Sequence, residues 1–198
     1  MLIMRGRLAA IALLCLPTLW SFAHADPDSL GAQRFRFDSL GRGQTEVGLI
    51  AAYGESHRIP AIVTDRARFN LIKLRLGRFL SPRVELAGEF AAAAQNGPRE
   101  NRGWSAAGCL RHYISVRGDT AVAWDFSVGV TRFERRLTSQ ATRINFTEQL
   151  GIAVQYGVGP NSAITIEYKF SHNSNAGLRM PNLGINASII GVGWSWYP

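Results

Sequence analysis

Only two cysteines occur among the 198 residues, Cys15 and Cys109. Cys15 lies in an N-terminal stretch that we expect to be removed, so the mature chain would keep one thiol and could form no internal disulfide. Acidic residues are also scarce, with 14 against 22 lysines and arginines, for a formal net charge of +8. An exported fold of this chain would therefore have to be stabilised by contacts other than disulfides.

Long apolar runs are missing as well. The run at residues 8–19 is interrupted by Pro17 and is too short for a membrane-spanning helix, which needs about 20 apolar residues. Basic residues precede this run, and Ala23 and Ala25 supply small residues at the positions that determine cleavage. We therefore expect residues 1–25 to be a secretory signal peptide, followed by a single domain.

The remaining chain alternates apolar and polar residues with the two-residue period of β-strands. Eight extended segments are predicted, at residues 44–54, 67–79, 82–94, 103–116, 119–133, 143–158, 162–174 and 185–197. From the third segment onward, the apolar residues occupy even-numbered positions, as Phe126 and Val128 illustrate. In the second segment, Phe69 and Leu71 fall out of phase with Ile72, which predicts a β-bulge there.

The opposite faces of these segments are polar. They carry Lys73, Arg75, Arg83, Glu85, Glu89, Arg111, Asp125, Gln149, Gln155, Glu167 and Lys169. A soluble β-sandwich would bury the apolar face, whereas an eight-stranded membrane barrel turns it to lipid and fills a narrow lumen with paired charges. Both folds stay open, but the even strand count, the long strands and the aromatic end at Trp194, Trp196 and Tyr197 favour the barrel.

We therefore predict an all-β fold, an eight-stranded antiparallel transmembrane β-barrel of the bacterial outer membrane at residues 44–198, after a periplasmic segment at 26–43. Connections alternate between tight turns at 78–82, 117–120 and 159–162 and longer loops at 55–66, 95–102, 134–142 and 175–184. Because periplasmic turns of such barrels are short and external loops are longer, the alternation sets the orientation. The seventh strand then reaches the outer leaflet, after rising about 23 to 25 Å.

That strand ends in His172 and Ser174, which share a face with its apolar residues. A serine hydroxyl becomes a good nucleophile when a base takes its proton, and a histidine two residues away in a strand could do so. The His-x-Ser pattern alone is a weak signal, since most such pairs are structural. An imidazole and a hydroxyl that face lipid, however, have little structural purpose, so this pair predicts an esterase that acts on a lipid.

The stretch His172-Asn173-Ser174-Asn175-Ala176-Gly177, followed by Pro181-Asn182-Leu183-Gly184, resembles the signature of the lipid A 3-O-deacylases, the PagL-type outer-membrane enzymes. The resemblance implies an eight-stranded barrel that hydrolyses the ester-linked acyl chain at the 3-position of lipid A. It also implies that this chemistry is done by a serine that a histidine activates.

By this resemblance, Ser174 is the nucleophile and His172 is the base. Asn182, together with backbone amides near Ala176 and Gly177, is the expected support for the oxyanion, because a developing alkoxide needs fixed hydrogen-bond donors.

One position departs from the family pattern. Asn186 stands where an acidic residue is expected to orient the histidine, and the same change in a serine protease lowers kcat about 10⁴-fold. A second candidate is Glu148, which interrupts the lipid-facing row of its strand. A turn centred on Pro160 would place Glu148 beside His172. We predict that Asn186 or Glu148 orients the imidazole; alternatively, Glu148 pairs with an arginine or lies among head groups.

The excess positive charge lies largely in or near the predicted external loops. It comprises Arg58, Arg66, Arg68, Arg99, Arg102, Arg132, Arg135, Arg136, Arg143 and Arg179. Arginine binds phosphate through paired hydrogen bonds, so phosphorylated lipid A in lipopolysaccharide is the expected partner and nucleic acid is not. We expect Arg135, Arg136 and Arg179 to bind the substrate. The chain has no cluster of cysteine and histidine, so no cofactor or metal is expected.

Two other functions are compatible with these features. A noncatalytic barrel for adhesion or membrane integrity would share the signal peptide, the strands and the loops. An outer-membrane phospholipase would share the serine and the histidine. Formation of a homodimer also stays open.

Overall fold

The computed structural model describes residues 33–57, 67–96 and 100–198. Eight antiparallel strands form a closed barrel, in which each strand pairs with the next and the last pairs with the first. They are β1 (Thr45–His57), β2 (Arg68–Ser81), β3 (Val84–Asn96), β4 (Asn101–Arg117), β5 (Thr120–Phe133), β6 (Ile144–Gly159), β7 (Ser162–Ser174) and β8 (Ile185–Trp196). The predicted barrel is thus confirmed. The expected signal peptide and Arg58, Arg66 and Arg99 lie outside the described residues.

The barrel has apolar side chains outside and charged side chains inside. Large hydrophobic residues such as Leu150, Phe126 and Ile190 are about half exposed on the outer surface. The lumen contains a buried ionic network, in which Arg75 lies 2.9 Å from Glu85 and also contacts Glu46 and Glu89. This pairing compensates for the loss of water around each charge. The predicted polar interior is therefore correct, except that Arg83 lies exposed in the turn before β3.

The bulge predicted between Phe69 and Ile72 is wrong. Pairing of β1 with β2 is continuous from Thr45↔Arg78 to Glu55↔Arg68, and the irregularity of β2 lies at Phe79/Ser81 instead. Leu71 keeps the strand phase and lines a cavity in the lumen. The apolar side chain at this odd-numbered position thus reflects an inner face that carries apolar as well as charged side chains.

Residues 34–43 lie against the end of the barrel that carries the short turns, within the compact unit Arg34–Pro198. Phe35 and Phe37 pack in a buried cluster with Tyr113 and Tyr197, and their backbone amides donate to the turn carbonyls of Gly159 and Gly118. This segment therefore closes the lumen at the short-turn end. Within the described residues, no helix has the length and hydrophobicity to cross a membrane.

Candidate active site

Four polar side chains lie in one row across β6, β7, β8 and β1, near the end of the barrel that carries the long loops. Glu148 pairs with His172, His172 pairs with Asn186, and Asn186 pairs with His57. Their strand positions are in phase with the exposed apolar residues, so the row faces outward. The register that placed Glu148 beside His172 is the one that the structure has, and Glu148 is exposed there.

The imidazole of His172 is held on one side by Asn186, whose Oδ1 lies 2.7 Å from His172 Nδ1. Because a carbonyl oxygen only accepts hydrogen bonds, this contact requires a proton on Nδ1 and leaves Nε2 as an acceptor. Gly184 lies against the other side of the ring. A Cβ atom at Gly184 would come within 2.8 Å of His172 Cε1, so glycine provides the space that the imidazole occupies.

Ser174 is the last residue of β7, two positions beyond His172 on the same outer face, and it pairs with Phe146 of β6. Both side chains are half-buried. Among the described residues, His172 hydrogen-bonds to Asn186 and not to the Ser174 hydroxyl. Hydrogen bonds between catalytic groups are often long without substrate and shorten in the complex. The lack of a hydrogen bond here is therefore compatible with proton transfer from Ser174 to His172.

Asn182 faces the turn that follows Ser174. Its Oδ1 accepts a hydrogen bond of 3.0 Å from the backbone amide of Asn175, so its Nδ2 remains as a donor. Ala176 and Gly177 both have positive φ, 54° and 76°, and their amides donate to no acceptor in the described part of the chain. The turn and the Asn182 side chain together therefore offer three N–H donor groups that have no acceptor within the described residues.

The loop that contains this turn is held in place by the loop between β5 and β6. Asn182 forms a bridge with Gln140 of the loop between β5 and β6. The amide of Ala141 donates to Pro181 at 2.8 Å, and the amide of Leu183 donates to Ser139 at 3.0 Å. Below these contacts, Phe133, Leu137 and Ile185 form a buried apolar cluster. The predicted donors thus lie on a loop that a second loop braces.

A second pairing of serine with histidine, between Ser188 and His57, was not predicted from the sequence. His57 Nε2 lies 2.7 Å from Ser188 Oγ, which also lies 2.7 Å from the hydroxyl of Tyr168. These residues line an outer groove of about 670 Å³, together with Tyr53 and Ile190. The phase of each strand could have placed them on the outer surface, but only the closure of β8 onto β1 brings them together.

The arginines predicted to bind substrate lie in the loops at the same end. Arg135, Arg136 and Arg179 are all exposed. The backbone of Arg135 is fixed by two hydrogen bonds to the Asn101 side chain, and Arg179 O accepts from Asn175 Nδ2 at 2.7 Å. The backbones of Arg135 and Arg179 are therefore held in place, and the exposed guanidinium groups of all three arginines are available to a ligand.

The described residues contain one group with metal-ligand chemistry, formed by Glu89, Cys109 and Asp125 in the lumen. Lys169 Nζ lies 2.9 Å from Glu89 and 3.6 Å from Asp125, and Arg75 contacts both Glu89 and Cys109. These cations already neutralise the carboxylates, so the group fits an ionic network better than a metal site.

Fold and site together define a class of protein, an outer-membrane type of β-barrel with a serine and a histidine on its outer surface. The sequence pattern of the lipid A 3-O-deacylase (PagL) family matches residues 78–195, which is more than half of the chain. The chain therefore belongs to the PagL family of lipid A 3-O-deacylases. A comparison with curated protein sequences gave no match.

Solved structures support the fold. The outer membrane enzyme PagL has a TM-score of 0.56 at 18% identity, over 74% of this chain and 97% of that one. Neisserial surface protein A has a TM-score of 0.58 at 12% identity, over 77% and 96%. The N-terminal barrel domain of Pseudomonas aeruginosa OprF has a TM-score of 0.50 at 14% identity, over 79% and 100%. At these identities the likeness concerns the barrel architecture.

Proposed function

We propose that this protein is a lipid A 3-O-deacylase in the outer membrane of a Gram-negative bacterium, with Ser174 as nucleophile and His172 as base. The observation that carries the proposal is the position of His172. Its Nδ1 forms a hydrogen bond with Asn186, so Nε2 is the nitrogen that can accept a proton. Ser174 lies on the same outer face of the strand. Family membership supplies the reaction class, the release of the acyl chain at the 3-position.

The reaction would run in two steps. Ser174 Oγ attacks the ester carbonyl while its proton moves to His172 Nε2, and the protonated imidazole then passes that proton to the sugar oxygen that leaves. Water, activated by His172 in the same way, hydrolyses the acyl-serine and releases the fatty acid. In both tetrahedral intermediates, Asn182 Nδ2 and the amides of Ala176 and Gly177 would stabilise the oxyanion.

The surroundings suit a lipid in the outer leaflet. In the barrel orientation given by the long loops, the site lies at the outer end of the apolar surface. The outer groove beside Tyr168 and Ile190 also includes His57, which pairs with Asn186, so an acyl chain of the bound lipid could lie there. Arg135, Arg136 and Arg179 would meet the phosphorylated head group, since guanidinium groups bind phosphate in pairs of hydrogen bonds.

The asparagine in place of an acid is expected to limit the rate. We expect Asn186→Asp, which keeps the hydrogen bond to His172 Nδ1 and adds a negative charge, to raise kcat at least tenfold.

We expect Glu148→Gln to lower kcat only about fivefold, because an exposed charge beside an imidazolium contributes about 1 kcal/mol. Steady-state hydrolysis of lipid A by the purified barrels measures both. A kcat that Asn186→Asp leaves unchanged would exclude Asn186 as the residue that limits the base.

Covalent labelling tests the identity of the nucleophile. A lipid-like fluorophosphonate should react with the purified barrel, and peptide mass spectrometry should place the adduct on Ser174. We expect Ser174→Ala to lose the adduct and Ser188→Ala to keep it. An adduct on Ser188 would instead identify the His57 and Ser188 pair as the esterase site. No adduct on either serine, in a folded barrel, would favour a noncatalytic function.

A further inference from the structure

A second groove lies at the long-loop end, on strands that carry none of the residues proposed for catalysis. It encloses about 400 Å³ between the outer ends of β4 and β5 and the residue that precedes β6. Its lining includes Arg102, Trp104, Arg132, Glu134 and Arg143. All of these side chains are exposed, so the groove opens to the surroundings of the barrel.

The backbone brings the three arginines of this groove together. The amide of Glu134 donates to Arg102 O at 2.8 Å, and the amide of Phe133 donates to Arg143 O at 2.8 Å. Gly103 allows β4 to approach β5, since a Cβ atom there would lie only 2.8 Å from Arg132 O. The guanidinium groups thus project from a fixed backbone frame and not from independent loops.

The charges of this groove are not balanced internally. Among the described residues, no carboxylate lies within 4.0 Å of a basic nitrogen of Arg102, Arg132 or Arg143. The buried arginines of the lumen differ, because Arg75 and Arg111 are each paired with carboxylates. Three exposed guanidinium groups that share one groove, with Glu134 as the acidic residue in its lining, form a site for a multiply charged anion.

We propose that this groove, which we call the arginine groove, binds a phosphate group of the same lipid A molecule whose ester lies at Ser174. This inference rests on the proposed function, and it adds Arg102, Arg132 and Arg143 to the head-group contacts proposed for Arg135, Arg136 and Arg179. Trp104, just below Arg102 on β4, supplies an amphipathic ring at the boundary between head groups and acyl chains.

The register sets the distance between the groove and the ester. Ser174 pairs with Phe146 on β6, and Phe146 pairs with Val130 on β5. Arg132 therefore lies two strands from Ser174 and one outward-facing position beyond Val130 on its own strand. At a strand spacing of about 4.8 Å, the lateral separation is about 10 Å, which is within the span of a disaccharide head group. Ser174 is the last residue of β7, and Arg132 is the penultimate residue of β5, so both lie at the long-loop ends of their strands, where the ester and the head group of one lipid would meet the barrel.

Binding can be measured apart from catalysis. The test uses the full barrel with Ser174→Ala, alone and combined with Arg102→Gln, Arg132→Gln and Arg143→Gln. A matched control carries Arg78→Gln, Arg83→Gln and Arg117→Gln, which remove three exposed arginines near the short turns. Native mass spectrometry in detergent compares diphosphorylated lipid A, the same lipid A without phosphate, and phosphatidylglycerol.

We expect the Ser174→Ala barrel and the control to bind diphosphorylated lipid A at least tenfold more tightly than the dephosphorylated form, and the arginine-groove variant to lose most of this preference. Equal preference in all three barrels would overturn the inference. So would phosphatidylglycerol binding that matches lipid A and falls with the same arginines, since the groove would then be a general anion site. Barrel folding is checked by the shift in gel mobility on heating.

Failure of the proposed function would look different. With Ser174 intact, we expect the arginine-groove variant to show a raised KM for lipid A and a nearly unchanged kcat. If no barrel hydrolyses lipid A but the phosphate preference still depends on the three arginines, the binding site stands and the deacylase proposal fails. If hydrolysis proceeds with the same KM in the variant, the arginine groove is not part of the substrate site.

Discussion

Replacing Gly184 with alanine is expected to lower kcat for lipid A hydrolysis about 100-fold, because a displacement of about 1 Å in a catalytic group can cost that much. The new Cβ atom would lie 2.8 Å from His172 Cε1, closer than carbon atoms approach. Since Asn186 holds Nδ1, the ring cannot move without losing that hydrogen bond or turning Nε2 away from Ser174.

The control for this prediction is Gly43→Ala. Gly184 and Gly43 both have positive φ, at 70° and 92°, but no atom lies within 4 Å of the Cβ position of Gly43, which lies near the short turns. The Gly43→Ala variant therefore has the backbone strain of an alanine at positive φ but no contact with His172. Full activity in a folded Gly184→Ala barrel would show that the position of the imidazole does not limit the reaction.

Replacing Asn182 is expected to lower kcat by about 10² to 10³ with little change in KM, the usual loss when one oxyanion donor is removed. Asn182→Asp is the sharper variant. An aspartate can still accept the hydrogen bond from the Asn175 amide, which keeps the turn in place, but it has no N–H group to donate. Asn182→Ala would lose both interactions.

Steady-state kinetics on the purified barrels measures the effect, and Asn161→Ala in the turn between β6 and β7 provides a remote control. We expect Asn182→Asp and Asn182→Ala to lose similar amounts of kcat. Loss only in Asn182→Ala would mean that Asn182 supports the loop without stabilising the oxyanion.

Much of the fold follows from local pattern. Outward residues such as Phe126 and Val128 keep one phase through long strands, and a phase error would place charges in lipid. The pairing of Glu148 with His172 was predicted from a turn centred on Pro160. The turn in fact pairs Gly159 with Ser162, and an irregularity between Gly157 and Gly159 shifts the rest of the hairpin into the predicted register. These features depend only on residues that are close in sequence or joined by one turn.

The parts that were missed depend on contacts between distant segments. The pairing of His57 with Ser188 exists because the last strand closes onto the first, which no local period encodes. Phe35 and Phe37 close the lumen from a segment without strand pattern, through contacts with Tyr113 and Tyr197. The bulge prediction is wrong because Leu71 faces the lumen, where apolar side chains such as Ile189 lie among the charged ones.

The site itself was predicted in composition but not in geometry. His172, Ser174 and Asn182 were named from their spacing and from the family resemblance. The hydrogen bond from Asn175 to Asn182 and the approach of Gly184 to the imidazole depend on the path of the loop after β7. That path is set by backbone contacts to the loop between β5 and β6, which the sequence does not display.

The most direct test of the account is mass spectrometry of lipid A from a Gram-negative host that expresses this protein, beside hosts that express Ser174→Ala or Ser171→Ala. Ser171 lies on the inner face of the same strand and serves as the control. We expect loss of one 3-hydroxyacyl group with the native chain and with Ser171→Ala, and intact lipid A with Ser174→Ala. Identical spectra from all three hosts, with each barrel folded in the outer membrane, would contradict this expectation.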